Sequence, residues 1–146
     1  MDSGISSFDA NVWLAIAVGG HVHHAAARSW FDGQADGTCA FCRITQLAFL
    51  RHLTNPKIMG AANVQSQAAA WRVFESLATD SRVRYLDEPP GVEAACKLFT
   101  QHPTPSHKQW TDAFLAAFAM QAGLQIATFD GEFTSLLSLN VKLLTP

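Results

Sequence analysis

Three aspartates occupy positions that are predicted to be at least partly buried, where a carboxylate costs free energy unless another group compensates its charge. Asp9 and Asp130 each directly follow a short β-like run, residues 5–8 and 126–129, that predicts a strand. Asp112 lies in the first turn of the most apolar helical stretch, 110–122, on the face that carries apolar residues three and four positions further on. Burying a carboxylate is unfavourable, and a helix N-terminus offsets only about 0.3–1 kcal/mol of that cost.

The chemistry of these residues depends on whether they meet. Converging carboxylates repel each other, and one of them stays protonated unless a cation lies between them. Hard divalent cations such as Mg²⁺ or Mn²⁺ prefer oxygen ligands, and an ion held this way activates water and polarises a phosphoryl group. If Asp9, Asp112 and Asp130 meet, they predict metal-dependent phosphodiester hydrolysis. Taken singly, each is also typical of a turn or a helix start.

The order of secondary-structure elements decides whether these carboxylates can meet. Short β-like runs alternate with helical stretches, which predicts parallel β-α-β units with helices covering the sheet. Ligands bind such sheets at the carboxyl ends of the strands, where Asp9 and Asp130 are placed. Asn11 and Thr45 are predicted to cap two of the helices. The predicted strands are 5–8, 38–42, 83–86, 126–129 and 141–144, and the predicted helices are 12–18, 23–31, 45–53, 64–78, 92–99, 110–122 and 133–139.

The composition predicts a single domain, residues 1–146, that has a partner. The chain has 146 residues and a net charge of −2, with 49% apolar but only 15% charged residues. So few charges leave apolar surface exposed, and large apolar patches usually mark an interface. The charge excludes a globally basic nucleic-acid footprint. No apolar run is long enough to span a membrane, and three cysteines make no disulfide framework, which favours a reducing, cytoplasmic setting.

Four short segments carry the aspartates and their surroundings in one order along nearly the whole chain. They are residues 8–13 (FDANVW), 42–51 (CRITQLAFLR), 110–117 (WTDAFLAA) and 127–133 (ATFDGEF). Together they resemble the PIN domain, and more narrowly the VapC-type toxin ribonucleases of bacterial toxin–antitoxin pairs. The resemblance implies an α/β, PIN-like three-layer fold with about five mostly parallel strands flanked by helices. It also implies a Mg²⁺- or Mn²⁺-dependent endoribonuclease that cleaves single-stranded RNA, forms a homodimer and is blocked by a VapB-like antitoxin.

The resemblance also assigns the acidic residues of this chain. Carried over position by position, Asp9, Asp112 and Asp130 match the catalytic, metal-binding positions of the family. Glu132 falls where an auxiliary acidic residue often occurs. On this reading, the carboxylates hold the metal ion and orient the attacking water for in-line displacement at phosphorus.

Four further positions are assigned to support or to substrate binding. Asn11 and Thr128 match polar residues that orient carboxylates through hydrogen bonds. Arg51 matches a basic position that meets an RNA phosphate or an antitoxin carboxylate. The sequence departs from the family at Gln46, where glutamate is usual. Glutamine offers a carbonyl oxygen without a charge, which lowers metal affinity and favours a one-metal over a two-metal mechanism.

Two other functions stay open at this stage. The first is a non-catalytic PIN-fold module that binds RNA or a partner because Gln46 has disabled cleavage. The second is a small phosphohydrolase that uses Asp9 as a nucleophile, as haloacid-dehalogenase enzymes do. The second is disfavoured because those enzymes usually carry another aspartate two residues further on, where this chain has Asn11.

Two other patterns have the spacing of metal or redox sites. Cys39 and Cys42 are formally C-x-x-C, but they lie in a β-like run and are predicted to be buried. His21, His23 and His24 form a cluster without a fourth ligand at suitable local spacing, so a polar helix start is the preferred interpretation and a zinc site the alternative.

Overall fold

Strands and helices alternate along residues 3–131 and 140–145, which are the residues that the structure, a computed structural model, describes. The strands are β1 (Ser6–Phe8), β2 (Cys39–Phe41), β3 (Val83–Tyr85), β4 (Gln125–Thr128) and β5 (Val141–Leu143). The helices are α1 (Ala10–Ala17), α2 (His24–Asp32), α3 (Arg43–Leu53), α4 (Pro56–Met59), α5 (Gln67–Ala78), α6 (Val92–Phe99) and α7 (Trp110–Ala122). None of these helices combines the length and apolar character that crossing a membrane requires.

The five strands form one parallel sheet in the order β3-β2-β1-β4-β5. The sequence-based prediction of a parallel α/β sheet is therefore confirmed. β1 lies at the centre, and Phe8 at its end pairs with Ala127 of β4. Because parallel neighbours end at the same edge of a sheet, the residues that follow β1 and β4 are brought together there.

Helices cover both faces of the sheet, which makes three layers. Successive side chains of a strand point to opposite faces. Phe8 and Phe41 face α1, where the fully buried Trp13 stacks on Phe41 with ring centroids 3.9 Å apart. Ile126 faces the other way and packs against Phe118 of α7. Truncating a core aromatic such as Trp13 to alanine is expected to cost about 3–5 kcal/mol.

Two of the predicted helix caps are wrong. Asp9, not Asn11, is the N-cap of α1, because the chain turns directly from β1 into the helix and the Asp9 carbonyl accepts the backbone N–H of Val12 at 2.9 Å. Cys42, not Thr45, is the N-cap of α3. Thr45 lies inside the first turn, where its hydroxyl accepts the Cys42 backbone N–H at 3.0 Å, so it completes the cap from the third helical position.

Further details of the helices differ from the prediction, and one predicted helix falls on residues that the structure does not describe. α3 ends at Leu53, as predicted, but Asn55 and Pro56 also begin the short α4, with Asn55 as N-cap and proline in the first turn. The helix predicted over 64–78 begins later, after Ser66, whose hydroxyl accepts the Ala69 N–H at 3.1 Å. The helix predicted over 133–139 lies outside the described residues.

Candidate active site

A cleft of about 610 Å³ opens at the carboxyl edge of β1 and β4, and the three predicted aspartates line it. Asp9 reaches it from the turn between β1 and α1, Asp130 from the segment after β4, and Asp112 from the first turn of α7. The fold therefore brings residues from three distant parts of the sequence to one concave surface. The remaining lining residues are Ala10, Asn11, His21, Val22, His23, Ala48, Arg51, His52, Thr111 and Phe129.

A buried threonine connects two of the aspartates. The hydroxyl of Thr128, the last residue of β4, donates to Oδ2 of Asp9 at 3.0 Å. The Thr128 hydroxyl oxygen, Oγ1, also accepts the backbone N–H of Asp130 at 2.9 Å. The Asp9 backbone N–H in turn donates to the carbonyl of Ala127 at 2.9 Å. Thr128 thus fixes the Asp9 carboxyl relative to the loop that carries Asp130.

The electrostatics of Asp9 differ from those of a surface aspartate. Burial raises the pKa of the Asp9 carboxyl above its usual 3.8, and the negative charge of Asp130 raises it further. The Thr128 hydroxyl and the backbone N–H groups of Ala10 and Asn11 act in the opposite direction, but they do not cancel the rise. A cation in this cleft would be attracted by the Asp9 carboxylate and would favour its ionised form.

The other predicted site residues are distributed unevenly around the cleft. Asn11 and Arg51 line it, and both are exposed. Gln46 is buried and is not among the lining residues; its Oε1 accepts a hydrogen bond from Nη1 of Arg43 at 2.6 Å. Glu132 lies outside the described residues.

The aspartates supply oxygen ligands of the kind that Mg²⁺ and Mn²⁺ prefer. Three carboxylates that line one cleft are the donor set that fits such a cation. Within residues 3–131 and 140–145, however, no three His, Cys, Asp or Glu side chains form a group that could hold a metal ion by themselves. The assignment of Asp9, Asp112, Asp130 and Glu132 as metal ligands stays a prediction.

Sequence reasoning missed three histidines of the cleft. His21 and His23 precede α2 and His52 lies near the end of α3, yet all three line the cleft. The sequence predicts a polar helix start for this cluster, and His23 and His24 do form the start of α2: His23 is its N-cap, and Nδ1 of His24 lies 2.7 Å from the carbonyl oxygen of Ala15. No spacing rule connects His52 with the other two, because the packing of α1 against both α2 and α3 brings them together.

The two cysteines of the C-x-x-C pattern are buried, as predicted. Burial raises the pKa of the Cys39 thiol to about 11. Because the thiolate is the reactive form, this thiol is inert at neutral pH.

Comparison with known proteins connects this cleft to a family of nucleases. Residues 7–136 match the model of the PIN domain. The sequence is 40% identical over 140 residues to Ribonuclease VapC41 of Mycobacterium tuberculosis, covering 93% of this chain and 96% of that protein.

Solved structures share the fold at low sequence identity. The crystal structure of M. tuberculosis VapC20, a toxin that cleaves the sarcin-ricin loop, aligns with a TM-score of 0.64 at 16% identity and covers 89% of this chain and 93% of its own. DNA-bound VapBC from Salmonella typhimurium aligns with a TM-score of 0.66 at 17% identity, covering 94% and 96%. These likenesses confirm the predicted PIN-like α/β fold.

Proposed function

Because this chain belongs to the PIN-domain family, in its VapC ribonuclease branch, we propose that it is the toxin of a VapBC-like toxin–antitoxin pair and hydrolyses phosphodiester bonds of single-stranded RNA. The observation that supports the proposal is that Asp9, Asp112 and Asp130 line one cleft. A relative that is 40% identical over nearly its whole length is named a ribonuclease, which supports the same reaction class.

The proposed cofactor is a divalent metal ion. PIN-domain ribonucleases of the VapC type depend on metal ions in general; we assign Mg²⁺ or Mn²⁺ because the ligands are carboxylates. Asp9, Asp112 and Asp130 would hold the ion, with Glu132 as an auxiliary acid. When bound, the ion supplies Lewis-acid polarisation of the phosphate and lowers the pKa of water at the site.

The chain's own residues prepare the cleft for this reaction. Thr128 holds the Asp9 carboxyl in one orientation, so this side chain loses little further conformational freedom when substrate binds. Arg51, exposed on α3, offers a guanidinium that pairs with a phosphate oxygen of RNA. Asn11, exposed at the start of α1, lies beside Asp9 and supplies an amide for orienting a carboxylate. The net charge of −2 means that RNA binding relies on these local groups.

The partners follow from the same proposal. The similar Salmonella protein is a VapBC complex, and we propose that a VapB-like antitoxin covers the cleft of this chain and blocks it. Apolar side chains are exposed at several places, including Val22 between α1 and α2 at 84% and Leu98 on α6 at 76%. A homodimer and the antitoxin together would bury such surface. The proposed location is the cytoplasm.

The test is cleavage of a labelled single-stranded RNA pool by the purified chain. We expect cleavage with Mg²⁺ or Mn²⁺, none with EDTA, and loss of cleavage in Asp9→Asn. The matched control is Asp36→Asn, since Asp36 is exposed, lies outside the cleft and accepts a hydrogen bond from Ser81. Equal cleavage by native chain and Asp9→Asn, or none by either, would contradict the proposal.

A further inference from the structure

Three imidazoles line the cleft together with the aspartates, and the proposed reaction assigns them no role. They are His21, His23 and His52, which we call the imidazole wall. His21 and His23 belong to the segment between α1 and α2, and His52 to the last turn of α3. These side chains form no group with other His, Cys, Asp or Glu residues, within the part of the chain described, that could hold a metal ion.

A hydrogen bond fixes the tautomer of the first imidazole. The backbone N–H of His23 donates to Nδ1 of His21 at 3.0 Å. A ring nitrogen that accepts a hydrogen bond carries no proton, so the neutral ring carries its proton on Nε2. Burial, together with His23 and His24, lowers the pKa of His21, which favours the neutral ring. His21 therefore offers its Nε2–H as a donor.

Burial selects the same tautomer at the other two imidazoles. Nδ1 of His23 and Nδ1 of His52 are buried and have no hydrogen-bond partner among the described residues. A proton at either nitrogen would be a buried donor without an acceptor, which proteins avoid. The neutral rings therefore carry the proton on Nε2, the nitrogen that is left to meet a ligand in the cleft. Burial and, to a smaller extent, Arg51 lower the pKa of His52.

Packing holds the imidazole wall at a set position relative to the acids. The ring of His23 stacks on Phe129 with centroids 4.5 Å apart and an interplanar angle of 22°. Phe129 directly precedes Asp130. His52 is held by α3, whose neighbouring Phe49 and Leu53 are fully or almost fully buried.

We propose that the imidazole wall is an RNA-phosphate subsite, in which the Nε2–H groups of His21, His23 and His52 donate to non-bridging phosphate oxygens of the bound strand. Phosphate oxygens are strong acceptors, and rigid donors lose little entropy when they bind them. Naming RNA as the ligand rests on the proposed function. RNA is favoured over an acidic protein segment because the wall lines the same cleft as the acids, where the scissile linkage must lie.

The test measures RNA affinity without cleavage. Fluorescence anisotropy of a fluorescein-labelled single-stranded RNA oligonucleotide, at pH 7.5 with EDTA, gives the Kd of the full chain. We expect His52→Ala and His21→Ala each to weaken binding about three- to tenfold, the range of one neutral hydrogen bond. His102→Ala is the matched control, because His102 is exposed and lies outside the cleft, and it should leave Kd unchanged.

Two substitutions of His52 separate hydrogen bonding from packing. The amide nitrogen of glutamine is as many bonds from the backbone as Nε2 of histidine, whereas that of asparagine corresponds to Nδ1. His52→Gln should therefore retain more affinity than His52→Asn, with thermal unfolding confirming that both variants fold. Equal affinity of native chain and His52→Ala, or no advantage of His52→Gln over His52→Asn, overturns the subsite.

Salt dependence distinguishes the imidazole donors from the guanidinium of Arg51 beside them. His52→Ala should lower affinity by the same factor at every salt concentration. Arg51→Ala should reduce the slope of log affinity against log salt by about 0.7, the value for one phosphate contact on a single strand. If the native chain binds RNA through the imidazole wall but does not cleave it with Mg²⁺ or Mn²⁺, the nuclease proposal fails and the subsite stands.

Discussion

The two edges of the sheet treat their acidic residues in opposite ways. Before β3, at the amino edge, Arg82 donates from Nη2 to Oδ2 of Asp80 at 2.8 Å and lies 4.0 Å over the ring of Phe31. Hydrogen bonding from Arg82 lowers the pKa of Asp80 to about 2. At the carboxyl edge, burial and then the charge of Asp130 raise the pKa of Asp9.

This difference in pKa indicates that Asp80 stabilises the fold, whereas Asp9 belongs to a functional site. The ionised form of Asp80 is compensated within the chain, so it contributes to the stability of the fold. The ionised form of Asp9 is disfavoured by the chain that surrounds it. A residue kept at a cost in stability, in a cleft with other carboxylates, is typical of a functional site.

Exchanging one acid at each edge should separate activity from stability. We expect Asp9→Asn to lower RNA cleavage at least about 100-fold, because it removes a charged ligand of the proposed metal ion, while the free energy of unfolding rises. Asp80→Asn should leave cleavage unchanged and lower the free energy of unfolding by about 1 kcal/mol, as expected for an ion pair that is still partly exposed to solvent. Cleavage rates and urea unfolding curves of both variants provide the measurement. Loss of activity in Asp80→Asn at unchanged stability would break the comparison.

Removing the Thr128 hydroxyl, which supports Asp9, should lower RNA cleavage less than replacing Asp9 itself. Thr128→Val removes the hydroxyl that donates to Asp9 and accepts the Asp130 N–H, at nearly constant volume. We expect cleavage to fall about tenfold, in line with losses seen when an outer hydrogen-bonding partner of a site is removed. Thr128→Ser keeps the hydroxyl and should retain most of the activity. Equal activity of the valine and serine variants would show that the hydroxyl does not orient the site.

The two acids should also affect pH dependence with opposite signs. The lowered pKa of Asp80 means that its stabilising effect is present above pH 3.8 and is lost as the pH falls from 3.8 to about 2. The raised pKa of Asp9 means that its ionised form destabilises the fold at neutral pH, an effect that disappears as the pH falls towards 3.8. In urea unfolding with EDTA, Asp9→Asn should therefore exceed the native chain in stability at pH 7 and match it below pH 3.8. A native advantage at pH 7 would contradict this assignment.

The smallest effect is expected at Gln46. Because Gln46 is buried against Arg43 and does not line the cleft, Gln46→Glu should change cleavage by no more than about twofold, with the new charge paired to Arg43. Gln46→Leu, which removes the hydrogen bond, provides the control for packing. A large gain of cleavage in Gln46→Glu would favour the alternative in which glutamine has disabled the site.

Most strands of the sheet, and the positions of Asp9 and Asp130 at the strand ends, could be predicted from the sequence, because both depend on local patterns. Alternation of apolar runs with helical stretches predicts parallel strands, and parallel strands place Asp9 and Asp130 at one edge. Caps were less predictable: Asn11 and Asp9 are both good caps, and the choice depends on how the chain leaves β1. The imidazole wall could not be predicted from the sequence, because His52 lies in the same cleft as His21 through the packing of α1 against α2 and α3.

The most direct test of the central claim, that acids from three segments act as one site, is a double-mutant comparison. Rates of RNA cleavage with Mg²⁺ or Mn²⁺ are measured for Asp112→Asn, Asp130→Asn and the double variant. Residues that act as a unit are strongly non-additive, so the double variant should be no more than about threefold slower than the slower single variant. Losses that multiply, or a single variant with native activity, would show that these carboxylates do not share a reaction.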